Sequence, residues 1–204
     1  LFYTVVSLCH PVEGAPSELP SEPAPNGPQW IWSEGKATPA AFFEKEFLLS
    51  SPPVSATLRV SCDNGCKVFI NDKAAAQNED WNKPSVTDAK AVLQSGINKI
   101  RVDAKNEGGA AGLVVSLEIS LPDGTRRWLQ SDGSWAASAL EGAPKTAAQV
   151  LKAYGAPPWG KVFEAGSGGA SVSAAADIKV PEGFKVELLH KLTEAEGSWC
   201  AMCV

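Results

Sequence analysis

The sequence predicts an all-β protein, an antiparallel β-sandwich with flexible N- and C-terminal extensions. Three segments support this prediction, because apolar and polar residues alternate along each of them with the period of a half-buried strand. The segments are residues 113–121, 56–62 and 99–105. Each has one face suited to water and one to a core, so two sheets must meet through their apolar faces.

The chain begins with an apolar run, Leu1–Cys9, that is followed by a proline-rich segment. The run is uncharged and too short to span a bilayer, so we interpret it as the remnant of a secretory signal peptide. The alternative is a first strand of the fold. Cys9 is not predicted as a lipid anchor, because the bulky Leu8 precedes it. Residues 1–28 are therefore predicted as a signal-peptide remnant and linker, and the protein as secreted or periplasmic with no membrane span.

The sandwich itself is predicted to cover residues 29–138. Its first segment is Trp30-Ile31-Trp32, in which the two tryptophans are expected to share one face and to join the core. The turn Asn71-Asp72-Lys73 and the polar loop 77–84 are expected to interrupt the sheet. The predicted strands, in order, are 30–32, 43–49, 55–62, 66–71, 97–105, 113–121 and 127–130.

Composition argues against several functions. The formal charge is −5, from 18 basic and 23 acidic residues, which offers no basic stripe for nucleic acid. The two histidines, His10 and His190, both lie outside the predicted sandwich, so a histidine-based triad or metal site is not expected there. The pair Glu44 and Glu46 is explained by an exposed strand face rather than by glycosidase chemistry. We predict no enzymatic activity.

Five cysteines cannot all pair with one another. Cys62 and Cys66 flank a turn between two predicted strands, and both a disulfide and two free core thiols are consistent with that spacing. Cys200 and Cys203 have CxxC spacing. Val204 stands where covalent haem attachment needs histidine, and there is no second ligand pair for zinc, so we interpret this motif as incidental.

One loop has the residue types of a sugar site. Asp80, Trp81, Asn82 and Lys83 place an aromatic ring beside an acceptor, an amide and a cation, which together can stack on a sugar ring and hydrogen-bond its hydroxyls. Asn106 and Glu107, next to a glycine-rich turn, are predicted to add polar contacts. The alternative is that Trp81 closes one end of the sandwich and Asp80 caps a turn.

Several motifs in order resemble a known fold family. They are Trp30-Ile31-Trp32, Ser55 to Val60, Val68 to Asp72, Asp80-Trp81, Gly96 to Val102, Asn106 to Gly109 and Ser131 to Trp135. Together they resemble the galactose-binding-like jelly roll, in particular the amino-terminal accessory domains of secreted α-L-rhamnosidases. The resemblance implies a jelly-roll sandwich. Related jelly rolls often hold a structural calcium ion, and Asp63, Asn64, Asp80 and Asp88 are oxygen donors of the type that calcium takes.

A second resemblance lies nearer the C-terminus. Tyr154 to Gly160, Val180 to Leu189 and Gly197-Ser198-Trp199 resemble the entry to the β-propeller of large exported haem-binding proteins with a CxxCH segment. Residues 139–176 are accordingly predicted as a linker, with helix expected only over Ala147 to Tyr154. Residues 177–204 are predicted as the truncated first strand of a propeller-like domain. No haem function carries over to any residue of this sequence.

The sequence therefore predicts a non-catalytic carbohydrate-binding-like module of an exported multidomain protein. Its expected ligand is a sugar, with no cofactor other than the calcium ion considered above. The alternative is a structural or protein-interaction module without a ligand of its own, which contacts downstream domains of the same parent protein. The jelly-roll match favours the first and the propeller match favours the second.

Overall fold

The structure, a computed structural model, describes residues 16–34 and 37–164. The predicted signal-peptide remnant at residues 1–15, the expected propeller strand at 177–204 and the cysteines Cys9, Cys200 and Cys203 lie outside these residues. The described part forms twelve strands and one short 3-10 helix, Lys90–Val92. The prediction of an all-β antiparallel sandwich is confirmed.

The strands follow one another along the chain with short connections. They are β1 Gln29–Trp32, β2 Ala40–Leu49, β3 Ser55–Asp63, β4 Gly65–Ile70, β5 Lys73–Asn78, β6 Ser85–Asp88, β7 Gly96–Lys105, β8 Gly112–Ser120, β9 Arg126–Gln130, β10 Ala136–Ser138, β11 Thr146–Ala147 and β12 Gln149–Ala153. Strand β5 was not predicted, because Ala74-Ala75-Ala76 carries no alternation that sequence alone can recognise.

Two six-stranded sheets face each other. The first sheet has the order β12-β1-β8-β3-β6, with β9 paired to β8 beside β1. The second sheet has the order β11-β10-β2-β7-β4-β5. The named strand pairs are all antiparallel, and the connection from β5 to β6 passes from the edge of the second sheet to the edge of the first.

The core lies between the two sheets and is formed by the alternating apolar positions. Leu58 pairs with Leu117 in the first sheet, and Val68 pairs with Val102 in the second, and all four side chains are fully buried. The largest fully buried side chains are Trp30, Trp32, Trp135, Phe43, Phe47, Ile31, Leu49, Leu58, Ile70, Ile100, Leu113 and Leu117. The inward face assigned to Leu113, Val115, Leu117, Ile119 and Leu121 is confirmed.

The two tryptophans of β1 do not share a face, which corrects the prediction. The register between β1 and β12 shifts between Trp30 and Ile31, so the alternation is broken there. Trp32 contacts the main core, where its ring meets the ring of Phe43 edge-on. Trp30 instead belongs to a separate apolar cluster with Val114, Trp159 and Val162, which we call the outer cluster.

The segment predicted as a linker after residue 138 is also different from expectation. Gln149–Ala153 is a strand paired with β1, and Thr146–Ala147 pairs with β10, so no helix forms over Ala147 to Tyr154. Strand β1 would otherwise expose an unpaired edge, and β12 supplies its backbone partners. The strands of the sandwich therefore extend to Ala153, beyond the predicted limit of 138.

Part of the proline-rich segment before β1 lies against the sandwich. Leu19 is buried in the main core, and the amide of Leu48 donates to the carbonyl of Ser17 at 3.0 Å. The amide of Trp128 donates to the carbonyl of Pro20 at 3.1 Å. Residues 16–28 are thus held by backbone hydrogen bonds rather than forming a free linker.

Cys62 and Cys66 are two buried free thiols at the β3–β4 corner. Burial, followed by the neighbouring Cys66 thiol, raises the pKa of Cys62 well above its ordinary value. Both side chains face the main core, where they pack as small apolar groups. Of the two arrangements that the sequence allows, the structure has the free thiols.

Candidate functional site

The loop between β5 and β6, residues 79–84, is built around the buried side chain of Asn78. The Asn78 Oδ1 accepts a hydrogen bond from the amide of Cys62 at 3.0 Å. Its Nδ2 donates to the carbonyl oxygens of Asp80 and Lys83, at 3.1 Å and 2.8 Å. One amide side chain therefore fixes both ends of the loop to β3.

The polar side chains of this loop face water, but some of them also make contacts within the loop. Asp80 Oδ1 accepts a hydrogen bond from the amide of Asn82 at 2.9 Å. Asp80 therefore caps the turn, as the alternative interpretation of this residue predicted. The Lys83 ammonium lies 3.9 Å from Asp80 Oδ2, and the side chains of Lys83 and Asp80 are 80% and 46% exposed. Exposed pairs of this kind contribute little to stability, so both groups remain available to a ligand.

Trp81 lies half-buried at the side of the loop. Its carbonyl accepts a hydrogen bond from Ser61 Oγ at 2.8 Å, and its side chain packs against the outer cluster. The indole therefore has one part in apolar contact and another in contact with water. This position combines the two interpretations of Trp81 that the sequence left open.

The predicted residues of the β7–β8 loop meet the β3–β4 turn. The amide of Glu107 donates to Asn64 Oδ1 at 2.7 Å, and the amide of Asn64 donates to the carbonyl of Lys105 at 3.0 Å. The Asn106 side chain accepts from the amide of Gly108 at 3.1 Å, and Glu107 pairs with Lys105 at 2.9 Å. Both loops therefore start from the same corner of the sandwich as the loop 79–84.

Asp63, at the end of β3, is a buried carboxylate held by a residue that the sequence did not single out. Trp159 Nε1 donates to Asp63 Oδ2 at 2.9 Å, and the Trp159 ring stacks on Trp30 with a centroid separation of 4.4 Å. Asp63 is only 8% exposed, and burial raises the pKa of its carboxyl, an effect that the Trp159 hydrogen bond opposes. Trp159 was missed because it stands in a Pro/Gly-rich segment without periodicity.

The four predicted calcium ligands do not come together. Asp88 pairs with Thr57, which lies six residues before Asp63 on β3, so these two carboxylates are about 20 Å apart along the strand. Asp88 Oδ1 instead accepts a hydrogen bond at 2.9 Å from the amide of Lys90, the first residue of the 3-10 helix. Across residues 16–34 and 37–164 there is no cluster of three or more His, Cys, Asp or Glu that could hold a metal ion.

A pocket of about 250 Å³ opens on the outer face of the second sheet. We call it the sheet pocket. Its lining residues are Phe42, Cys66, Lys67, Gln77, Asn78, Glu79, Asp103, Ala104 and Lys105. None of the six predicted ligand residues lines it, but its lining residues Glu79 and Lys105 immediately precede the predicted residues Asp80 and Asn106 in the chain. No sequence motif marks it, because its residues come from four strands and lie in separate parts of the chain.

The outer face beside the sheet pocket is held by ion pairs and one cation–π contact. Glu44 pairs with Lys99 at 3.0 Å and with Lys145 at 3.3 Å. Burial raises the pKa of Glu44, but these two ammonium groups outweigh it and hold the pKa below its ordinary value. The Arg101 guanidinium lies over the ring of Phe69, 4.5 Å from its centroid.

The sequence is similar to part of a known enzyme. It is 33% identical, over 172 aligned residues, to an α-L-rhamnosidase of Streptomyces avermitilis. The alignment covers 72% of this chain but 17% of that enzyme, so the chain spans about a sixth of the length of the curated relative. No protein-family model matches the chain.

Solved structures agree in fold. The crystal structure of Streptomyces avermitilis α-L-rhamnosidase complexed with L-rhamnose aligns with a TM-score of 0.61 and 30% identity, over 66% of this chain and 15% of that chain. A lectin from Pleurotus ostreatus in complex with GalNAc aligns with a TM-score of 0.60 and 23% identity, over 70% of this chain and 47% of that chain. The lectin likeness shows the sandwich fold alone.

Among the described residues, no helix is long and apolar enough to cross a membrane.

Proposed function

We propose that this protein is a non-catalytic carbohydrate-binding module, and that its sugar site is the corner formed by the loops 79–84 and 106–111. The observation that carries the proposal is the half-buried Trp81 among exposed hydrogen-bonding groups. Its indole is supported from below by the outer cluster, while Asp80, Asn82 and Lys83 surround it with acceptors and donors. A supported aromatic ring with a polar rim suits a sugar, which has an apolar face and hydroxyl edges.

The comparisons support the same class of ligand. The relative with 33% identity acts on rhamnosides by its name, and the lectin of the same fold was crystallised with GalNAc. The part of the rhamnosidase that this chain matches is 17% of its length. We take it to be an accessory region rather than a catalytic one.

The absence of catalysis is part of the proposal. Asp63, the acidic side chain at this corner with a raised pKa, is buried and hydrogen-bonded to Trp159. The exposed ones are Glu79, Asp80 and Glu107, which lie beside Gln77, Lys83 and Lys105 respectively. A glycosidase needs two carboxyl groups facing one glycosidic bond, one of them protonated and accessible, and this corner offers no such pair among the described residues.

We further propose that the module belongs to an exported multidomain protein. The apolar run Leu1–Cys9 and the propeller-like pattern after Val180 support this placement, and both lie outside the described residues. The alternative module without a ligand would contact those downstream domains. It predicts no sugar binding at all, which the following experiment tests directly.

The experiment is a glycan array, followed by isothermal titration with the sugars that bind. L-Rhamnose and N-acetylgalactosamine are the first probes, and we expect millimolar or tighter dissociation constants for at least one neutral sugar. Trp81→Ala is expected to weaken binding roughly thirtyfold or more, because truncation of a central aromatic contact typically costs at least about 2 kcal/mol. Trp128→Ala, a half-buried tryptophan on β9, is the matched control and should bind as the unmodified protein does.

A calcium ion is proposed at Asp63 and Asn64 only, since Asp88 is too distant. The support is the buried Asp63 carboxylate, which pairs with no lysine or arginine among the described residues and has a raised pKa because of burial. A divalent cation would offset that cost of desolvation. We expect calcium to raise the melting temperature relative to a chelator, with Asp63→Asn abolishing the rise and Asp88→Asn retaining it. Equal melting temperatures with calcium and with chelator would exclude the ion.

A further inference from the structure

We propose that the sheet pocket is a second ligand site, separate from the loop corner, and that it binds a neutral sugar ring. It goes beyond the proposed function, because it lies on the outer face of the second sheet, whereas Trp81 packs toward the first. The site is formed by Phe42, Asp103, Lys67 and Gln77.

These four residues form one straight row across four strands. Phe42 on β2 pairs with Asp103 on β7, Asp103 pairs with Lys67 on β4, and Lys67 pairs with Gln77 on β5. Residues in register on neighbouring strands point to the same face and lie about 4.8 Å apart, so the row is about 14 Å long. The pleat therefore fixes an aromatic ring, an acceptor, a cation and an amide in one line.

The next row of residues on the same face borders the space for a ligand. Two residues away on each strand, and thus on the same face, stand Ala40, Lys105 and Gly65 in register. Gly65 has no side chain, and a Cβ built there would lie 2.8 Å from Lys105 Cε and 3.1 Å from the carbonyl oxygen of Asn78. The Lys105 side chain therefore lies over Gly65 and forms one wall of the pocket, and a larger residue on β4 would displace it.

The charges of the pocket select a neutral ligand. Two cations, Lys67 and Lys105, oppose two anions, Asp103 and Glu79, so the lining has no net charge to attract an ion. Lys105 and Glu79 are engaged with Glu107 and Gln77 at 2.9 Å and 2.7 Å. Lys67 makes no hydrogen bond or ion pair with any described residue, which leaves its ammonium free to donate to a hydroxyl.

Asp103 is the complementary acceptor. Its Oδ1 lies 3.4 Å from Arg101 Nε, whose guanidinium is held over Phe69. Adjacent acceptor and donor groups beside a half-buried phenyl ring match the vicinal hydroxyls and apolar face of a pyranose. The volume of about 250 Å³ is below the range of about 300–1,000 Å³ typical of pockets for larger ligands, so a single sugar residue is the expected size.

The test is a titration of the isotope-labelled protein with L-rhamnose, N-acetylgalactosamine and glucose, followed through backbone amide shifts. We expect saturable shifts at Phe42, Lys67, Gln77 and Asp103, in addition to those in the loop 79–84. Lys67→Ala should weaken binding at the row roughly tenfold, since it removes a charged hydrogen bond, and leave the loop shifts unchanged. Lys73→Ala, an exposed lysine on the same hairpin, is the matched control. Asp103→Asn is a second variant that keeps the side-chain shape.

The outcomes separate the two proposals. Shifts in the loop 79–84 without shifts along the row would overturn the sheet pocket and leave the proposed function intact. Shifts along the row that Lys67→Ala and Asp103→Asn do not weaken would also overturn it, since these groups would then make no contact with the sugar. Shifts along the row that survive Trp81→Ala would support the pocket as an independent site. No shifts anywhere, with all three sugars, would reject both.

Discussion

The outer faces of the two sheets differ in exposure, because one is covered by other residues and the other is open to solvent. On the first sheet, Trp30 and Val114 point away from the main core and are covered by Trp159 and Val162. On the second sheet, the outward-facing residues Phe42, Asp103 and Lys67 line the sheet pocket, and this face stays open. The covered face gains apolar burial and a buried hydrogen bond, while the open face keeps its polar groups in reach of solutes. The comparison indicates that ligand sites should be sought at the loop corner and on the second sheet.

The largest expected effect comes from removing Trp159 and Val162, which cover the first sheet, together with strands β11 and β12. A chain that ends after Ser138 lacks β11, β12 and Trp159, so β1 loses its partner strand on one edge and Trp30 becomes exposed. We expect loss of the cooperative thermal transition and of the near-ultraviolet circular dichroism. An unchanged melting temperature would show that the sandwich is complete at residue 138, as the sequence alone predicted.

A single substitution of Trp159 tests the covered face without removing any strand. Trp159→Ala removes a ring that is only 5% exposed, stacks on Trp30 and donates to Asp63. We expect a loss of about 3–5 kcal/mol in the free energy of unfolding, measured by urea denaturation. Phe42→Ala on the open face is the control and should cost about 1 kcal/mol. Similar losses for the two variants would contradict the difference between the faces.

The third prediction concerns the buried carboxyl group of Asp63, which is hydrogen-bonded to Trp159. Because burial raises the pKa of Asp63 in the folded state, the folded protein binds this proton more tightly than the unfolded chain does. The contribution of Asp63 to the free energy of unfolding therefore rises as the pH falls from neutral through its folded pKa. In the presence of a chelator, Asp63→Asn should be at least as stable at neutral pH and should lack this dependence, measured as urea midpoints between pH 7 and pH 4. A parallel pH dependence in the variant would assign the effect to other groups.

The smallest effect is expected on the open face. Lys67 is exposed and forms no ion pair with the described residues, so Lys67→Ala should change the free energy of unfolding by at most about 0.5 kcal/mol. The measurement is again urea denaturation, with Lys73→Ala beside it. A loss well above that limit would mean that the row across the second sheet supports the fold rather than a ligand.

Sequence patterns located most of the sandwich because its strands alternate strictly. The buried face of residues 113–121 and the pairing region of residues 97–105 could be predicted, since side-chain direction along a strand has a period of two. The run Ala74-Ala75-Ala76 in β5 and the strand Gln149–Ala153 could not, because their burial alternates weakly or not at all. Their strand structure depends on the neighbours that they pair with.

The candidate site divides in the same way. The sequence by itself placed Asp80 to Lys83 and Asn106-Glu107 in polar loops, because turn-forming and polar residues cluster there. Only the tertiary structure decided that Asn64 holds Glu107, that Asp88 lies far from Asp63, and that Trp159 covers Trp30. The same is true of the row from Phe42 to Gln77, which strand register assembles from four segments. The physical reason is that periodicity fixes the face on which a side chain lies, whereas the pairing of distant strands fixes its neighbours.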